Sequence, residues 1–187
     1  MKKRDHIKMH SYPGMVAVVG VHSEKGVNFM AAGWHAYLSM DPPMYGVAIG
    51  RERYTYQEVK EVGAFSINFL PYEQAAFIQY SGTFSGKHVD KGRESLWYLT
   101  ESSLPLLKDA YLAYECELNQ MVPTGDHDWV IGDIHTCHYR DGIFGDDGLP
   151  DFEQLHIPLY LGRSTYLKLD SSTERIEIER SEFDKKS

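Results

Sequence analysis

The sequence predicts a mainly β protein, a β-barrel with short flanking helices. Short apolar runs recur at close spacing along the 187 residues, with turn signals between them. Tyrosine is abundant, 13 residues beside 8 Phe and 3 Trp, and it favours strands and half-wet pockets. Only two stretches carry helix signals. Many strands with few helices make a barrel or sandwich with helices on its rim.

The first strand is expected at residues 15–21, a β-branched run after the turn Tyr12-Pro13-Gly14. Residues 27–39 form a second strand region, closed by Asp41-Pro42-Pro43, and residues 45–49 a third. Residues 65–70 alternate. Phe65, Ile67 and Phe69 share one face and Ser66 and Asn68 the other, which predicts a half-buried strand with something polar on its second face. Later strands are expected at 111–122 and 129–139, with a short last one at 159–161. Thr55-Tyr56-Gln57-Glu58 has the form of a capping box, and Gly63 sits where a glycine would stop the helix it starts. A second helix is expected over 73–79. No Gly/Pro/Ser linker divides the chain, so residues 1–170 read as one domain and 171–187 as a charged C-terminal tail that frays.

The hydrophobic fraction of 42% supports a packed core and argues against disorder. A net charge of −8 excludes a general nucleic-acid binder, which needs basic surface to release counterions. It also requires any anionic ligand to find a local positive site. Cys116 and Cys137 make no disulfide framework and lack the spacing of a zinc module, so a reducing, cytoplasmic setting is expected. The basic start MKKRDHIKMH has no apolar run of signal-peptide length behind it, and the longest apolar stretch, 15–19, is far too short to span a bilayer. No membrane is expected.

Three stretches can carry chemistry. Gly50-Arg51-Glu52-Arg53-Tyr54-Thr55 follows a strand and opens a helix, where unpaired N–H groups and the positive dipole end suit a phosphate. The alternative is a capped surface helix with solvated arginines. Ser81-Gly82-Thr83-Phe84-Ser85-Gly86-Lys87 allows a backbone nest with a cation, or is only a flexible turn. It is no P-loop, since the glycine gap is one residue short and His88 stands where Ser or Thr would hold magnesium. In residues 28–39, Ala31, Ala32, Gly33 and Ala36 leave room for a flat ligand close to the backbone, with Trp34 to flank a ring. The alternative is a barrel strand that kinks at Gly33. His135 and His138 are three apart on an expected strand and so point to opposite faces, which opposes a shared metal. Asp126-His127-Asp128 reads as a solvated turn. No metal ligand set is assigned.

Taken in order, these pieces resemble the flavin-reductase-like, FMN-binding split-barrel family, which includes the flavoredoxins. The resemblance is carried by the apolar strand at 16–21, Asn28-Phe29-Met30 leading to Trp34, and Ser39-Met40-Asp41-Pro42-Pro43. It continues through the strand at 45–49 with Arg51, Arg53, Tyr54 and Thr55, Gly63-Ala64-Phe65-Ser66-Ile67-Asn68, and Ser85-Gly86-Lys87-His88-Val89-Asp90-Lys91. Gly132-Asp133-Ile134 and Pro158-Leu159-Tyr160-Leu161-Gly162 with Tyr166 complete it.

The resemblance implies a homodimer with FMN near the subunit interface. It lays the flavin ring along Asn28, Met30, Ala31, Ala32, Trp34, His35 and Ala36. It gives the phosphate to Arg51, Arg53 and Thr55, helped by Ser85, Gly86 and Lys87. The implied activity is flavin reduction, with hydride passing from NADH or NADPH to the flavin. One alternative is a flavoredoxin-type electron carrier that is served by a redox partner protein and never meets NAD(P)H; the Gly33-Trp34-His35 pattern looks closer to that branch. The other is a non-enzymatic binder of a small ligand. Hydride transfer needs no side-chain acid or base, so no catalytic residue is assigned. His35 and His135 are candidates for contact with the flavin or the donor, with a structural role as the alternative.

Overall fold

The computed structural model describes residues 1–3, 5–9 and 11–178. Residues 171–178 form no helix or strand, and the rest of the expected tail lies outside the described residues. The strands are β1 (Ala17–Ser23), β2 (Gly26–Ala32), β3 (His35–Met40), β4 (Pro43–Gly50), β5 (Ala64–Phe69), β6 (Trp97–Leu99), β7 (Pro105–Leu107), β8 (Leu112–Pro123), β9 (His127–Tyr139), β10 (Ile157–Gly162) and β11 (Thr165–Leu169). Helix α1 (Tyr54–Val62) joins β4 to β5, and α2 (Ala75–Thr83) follows a short 3₁₀ turn at Tyr72–Gln74. No helix among the described residues is long and apolar enough to cross a membrane.

The main sheet has seven strands in the order β2-β1-β5-β8-β9-β4-β3, all antiparallel. Its topology makes it curl. Strands β2 and β3 lie at opposite edges, yet only Gly33 and Trp34 separate them in sequence. Ala32 and His35 therefore lie within roughly 11 Å of each other. The edges meet, and Ala48 N–H donates to the Trp34 carbonyl at 2.9 Å to help tie the joint. The expected strand at 27–39 is thus two strands on two edges. Mainly β structure with short flanking helices is what the sequence predicted.

The curl creates an inside and an outside, and β1 is apolar on both. Ala17, Val19 and Val21 point inward to a cluster with Tyr45, Phe65, Ile67 and Val130. Val16 and Val18 point outward to Phe29, Ile78 and Leu107. Strand β5 is covered on both faces as well, contrary to the half-buried expectation. Ser66 Oγ donates to the Pro105 carbonyl at 2.5 Å. The Asn68 amide donates to the Val18 carbonyl at 3.2 Å and accepts from the Leu107 N–H at 2.9 Å. Both side chains are fully buried, because β7 supplies the backbone partners that water would otherwise supply.

Three other expectations change. The capping box does not form: Arg53 is the N-cap of α1 and makes no side-chain cap bond. Thr55 and Glu58 find tertiary partners instead. Gly63 does end the helix, at φ 73° in the left-handed region, with its N–H on the Val59 carbonyl. Helix α2 runs on to Thr83, so Ser81 and Gly82 are helical rather than part of a turn. In β9 the register shifts between Ile134 and Thr136. That bulge brings His135 to Glu117 at 3.1 Å and His138 to Glu115 at 2.6 Å, two side chains on one face of β8.

Candidate functional site

A cleft of about 190 Å³ opens where the two edges of the curled sheet meet. Met30, Ala31 and Ala32 of β2 form one wall, with Gly33 and Trp34 at the joint. Ala48, Ile49 and Gly50 of β4 form another, and Arg53, Gly82 and His127 close it. Trp34 stays half exposed and packs on the His127 ring, their centroids 5.0 Å apart. Two further hollows continue from it past Gly33, along Val16, Tyr160 and Tyr166 on one side and Tyr12 and Met15 on the other.

The loop after β4 and the segment after α2 converge on Asn28. The Asn28 amide donates to Thr55 Oγ1 at 2.7 Å, tying β2 to the first turn of α1. Gly86 lies on the same side chain. A Cβ added there would overlap Asn28 Oδ1 and come within 2.8 Å of Tyr54 Cδ1. Asn28 is 5% exposed, and its buried Oδ1 has no hydrogen-bond partner among the described residues. A buried acceptor normally has one.

The electrostatics of this corner are positive. Lys91 is 3% exposed, and its ammonium donates to the carbonyls of Ser81 and Phe84 at 3.1 and 2.9 Å, capping the C-terminal end of α2. Burial pulls it down to about 8, and the nearby charge of Arg53 pulls the same way. Among the described residues, Arg53 pairs only with its exposed neighbour Glu52, at 3.2 Å. Arg51 points elsewhere: its Nε donates to Asp128 Oδ1 at 2.6 Å, and Tyr56 donates to the other oxygen at 2.6 Å. The Tyr56 hydroxyl and Arg51 hold that carboxyl below the usual range.

Of the residues singled out in the sequence, Met30, Ala31, Ala32, Trp34 and Arg53 line the cleft. Asn28, Thr55 and Gly86 sit packed together beside it. Ser85 and Lys87 lie on the exposed turn next to Gly86, where the Lys87 N–H donates to Ser85 Oγ at 3.3 Å. The remaining three neither line the cleft nor pack at the Asn28 corner. Arg51 serves Asp128. The His35 ring bonds Tyr45 and the Met15 carbonyl. Ala36 lies exposed on β3. Sequence reading missed His127 and Lys91. His127 sits in a run of polar residues that resembles a solvated turn, and nothing in the local pattern marks Lys91 as buried.

Comparison with known proteins places this geometry in context. The family model described as "Flavin reductase like domain" matches residues 9–170. A protein of Aeropyrum pernix is 32% identical over 157 residues; the match covers 82% of this chain and 59% of that relative, so the chain spans about three fifths of its length. An FMN-binding protein from Thermus thermophilus, solved with 1-cyclohex-2-enone bound, is 34% identical with a TM-score of 0.85, the match covering 94% of this chain and 99% of that one. The flavoredoxin of Desulfovibrio vulgaris is 26% identical with a TM-score of 0.79, over 94% of this chain and 97% of that one.

Proposed function

The chain belongs to the flavin reductase like domain family, and on that premise we propose that it holds FMN in the cleft at the sheet joint and works as an NAD(P)H-dependent flavin reductase. The observation that carries the reading is the convergence on Asn28. Two segments far apart in sequence meet there and bring Arg53 and Lys91 into one field. That donor set suits a phosphomonoester, which needs cations and N–H groups rather than one ideal motif.

The residues divide the work. Arg53 meets the phosphate, with Lys91 adding charge from below and the Ser85–Lys87 turn offering N–H groups and the Lys87 ammonium. The flat wall of Met30, Ala31 and Ala32 leaves a planar ring room against the β2 backbone. Trp34 and His127 flank it and keep water from one side. FMN itself supplies the hydride- and electron-accepting chemistry when bound. The protein's part is position and electrostatics, so no side chain is assigned to move a proton in hydride transfer.

A yellow preparation that NADH or NADPH bleaches without oxygen is the expected result. A preparation that keeps flavin bands and ignores both nucleotides favours the second reading, an electron carrier. One feature supports that second reading: the described residues lining the two hollows past Gly33 carry no charge, which gives a dinucleotide's pyrophosphate nothing to hold. Resemblance to a flavoredoxin supports it too.

We also propose a homodimer through β3. This edge strand exposes Tyr37, Leu38 and Met40, at 60%, 40% and 95%. An apolar sheet edge of that kind asks for a partner. The native chain is expected to run at twice its 21.4 kDa in light scattering, and Leu38→Lys with Met40→Lys to run as a monomer. An unchanged mass in the double variant sinks this interface.

A further inference from the structure

A second hollow, of about 210 Å³, lies where the start of β8 and the end of β9 meet the β6–β7 hairpin. Lys108, His138 and Arg140 line it, with Tyr98 and Tyr139 beside them and the buried Leu106 behind. It shares no lining residue with the cleft. His127, which closes the cleft, opens β9, and His138 stands near the far end of that strand. On the order of 30 Å of extended chain separates them.

The fold holds the cations of this hollow in place without neutralising them. Lys108 Nζ donates to the carbonyls of Ser95 and Glu94 at 3.1 and 3.4 Å. Arg140 donates from one Nη to the Asp109 carbonyl at 2.9 Å. A carbonyl positions a cation but carries no net charge to cancel it. Among the described residues, neither side chain makes an ion pair.

The nearby acids are engaged elsewhere. Asp109 turns its carboxylate to the Gln74 amide at 2.6 Å. Glu115, 5% exposed, lies 2.6 Å from His138 Nε2 and accepts from Thr100 Oγ1 at 2.8 Å. That contact fixes the imidazole ring as a wall of the hollow. No carboxylate is among the described residues that line it. In a chain of net charge −8, two anchored cations on a concave surface make a local positive field.

We propose that this hollow is a second ligand site and that it takes a small aromatic carboxylate. The guanidinium of Arg140 has donors left after its carbonyl bond, and its planar fork matches a carboxylate. Lys108 adds a point charge. Tyr98 and Tyr139 are 45% and 67% exposed, so their rings are available to a flat body. Size decides against a dinucleotide. Pockets for drug-sized ligands begin at about 300 Å³, and this hollow is smaller, so a single ring with one acid group fits it. The site does not depend on the flavin reading.

The test titrates the full chain, labelled with nitrogen-15, with sodium benzoate and follows the amide signals by NMR. Benzoate is expected to give saturable shifts gathered at residues 106–110 and 138–140. It is expected to bind about tenfold more tightly than benzamide, which keeps the ring and loses the charge. Acetate, which keeps the charge and loses the ring, is also expected to bind more weakly. Arg140→Gln and Lys108→Met are each expected to weaken benzoate about tenfold. Both positions are exposed, so both variants are expected to melt with the native chain. Added FMN is expected to leave benzoate affinity unchanged, and a chain that takes benzoate here but never holds FMN keeps this site and discards the flavin reading. No saturable shift, equal affinity for benzoate and benzamide, shifts gathered at the cleft, or native affinity in both variants overturns the site. The benzoate and benzamide comparison uses native protein alone, so it decides the matter if a variant fails to fold.

Discussion

Gly86→Ala is expected to lose both stability and cofactor. The added methyl has nowhere to go, since it overlaps the Asn28 amide and presses on the Tyr54 ring. Asn28 cannot retreat, because it is buried in β2 and tied to Thr55. Forcing an extra carbon into packed surroundings costs about 1–3 kcal/mol. Each kcal/mol lowers Tm by roughly 2–4 °C in a domain of this size. The turn at Ser85–Lys87 must lift to make room, and its N–H groups leave the phosphate corner with it. A thermal melt and an FMN titration check the two halves separately. A variant that melts with the native chain and binds FMN as tightly shows that this turn does not rest on Asn28.

Arg53→Ala is expected to weaken FMN binding by about 1.5–3 kcal/mol, the range for a hydrogen bond to a charged group, or roughly ten- to a hundred-fold. Lys91 adds a pH dependence whose sign is fixed. Its amine is held at about 8, below the ordinary lysine value, so it is charged below pH 8 and neutral well above it. A phosphate dianion prefers the charged form. FMN affinity is expected to fall as pH rises through 8, and Lys91→Met to flatten that fall. Stability runs the other way. The unfolded chain keeps its proton to higher pH, so the cost of burying the ammonium is complete below pH 8 and is relieved as pH climbs above it. Titrations of native and Lys91→Met protein between pH 6.5 and 9.5, with pH as the chosen range of about three units, separate the two trends. A parallel fall in both proteins places the titrating group elsewhere.

Much of the fold was legible because burial leaves a period in the sequence. Strands β1, β4, β5, β8 and β9 fall close to their expected places. The errors share a cause. Ser66 and Asn68 look like a solvent face, but a buried polar side chain that finds backbone partners reads the same in sequence as a wet one. Thr55 and Glu58 have capping-box spacing, yet Asn28 claims the first, and Ser23 with Lys25 claims the second. Local pattern fixes which atoms can bond and not which partner arrives from elsewhere in the chain. The same holds for the site. The cleft wall at Met30–Ala32 and the cation at Arg53 were visible as small residues and a charged helix start. Arg51 looked equivalent to Arg53 until Asp128, on β9, took it. Lys91 needed the whole packing of α2 on β2 before its burial could be seen.

The central claim is that the loop after β4 and the segment after α2 together hold one phosphate. Affinities for FMN and for riboflavin, which lacks that phosphate, test it most directly when measured in the native protein and in Arg53→Ala. The account predicts that native protein prefers FMN strongly and that Arg53→Ala loses much of the preference while riboflavin binding stays as it was. Equal affinity of native protein for both flavins, or a preference untouched by the substitution, contradicts it.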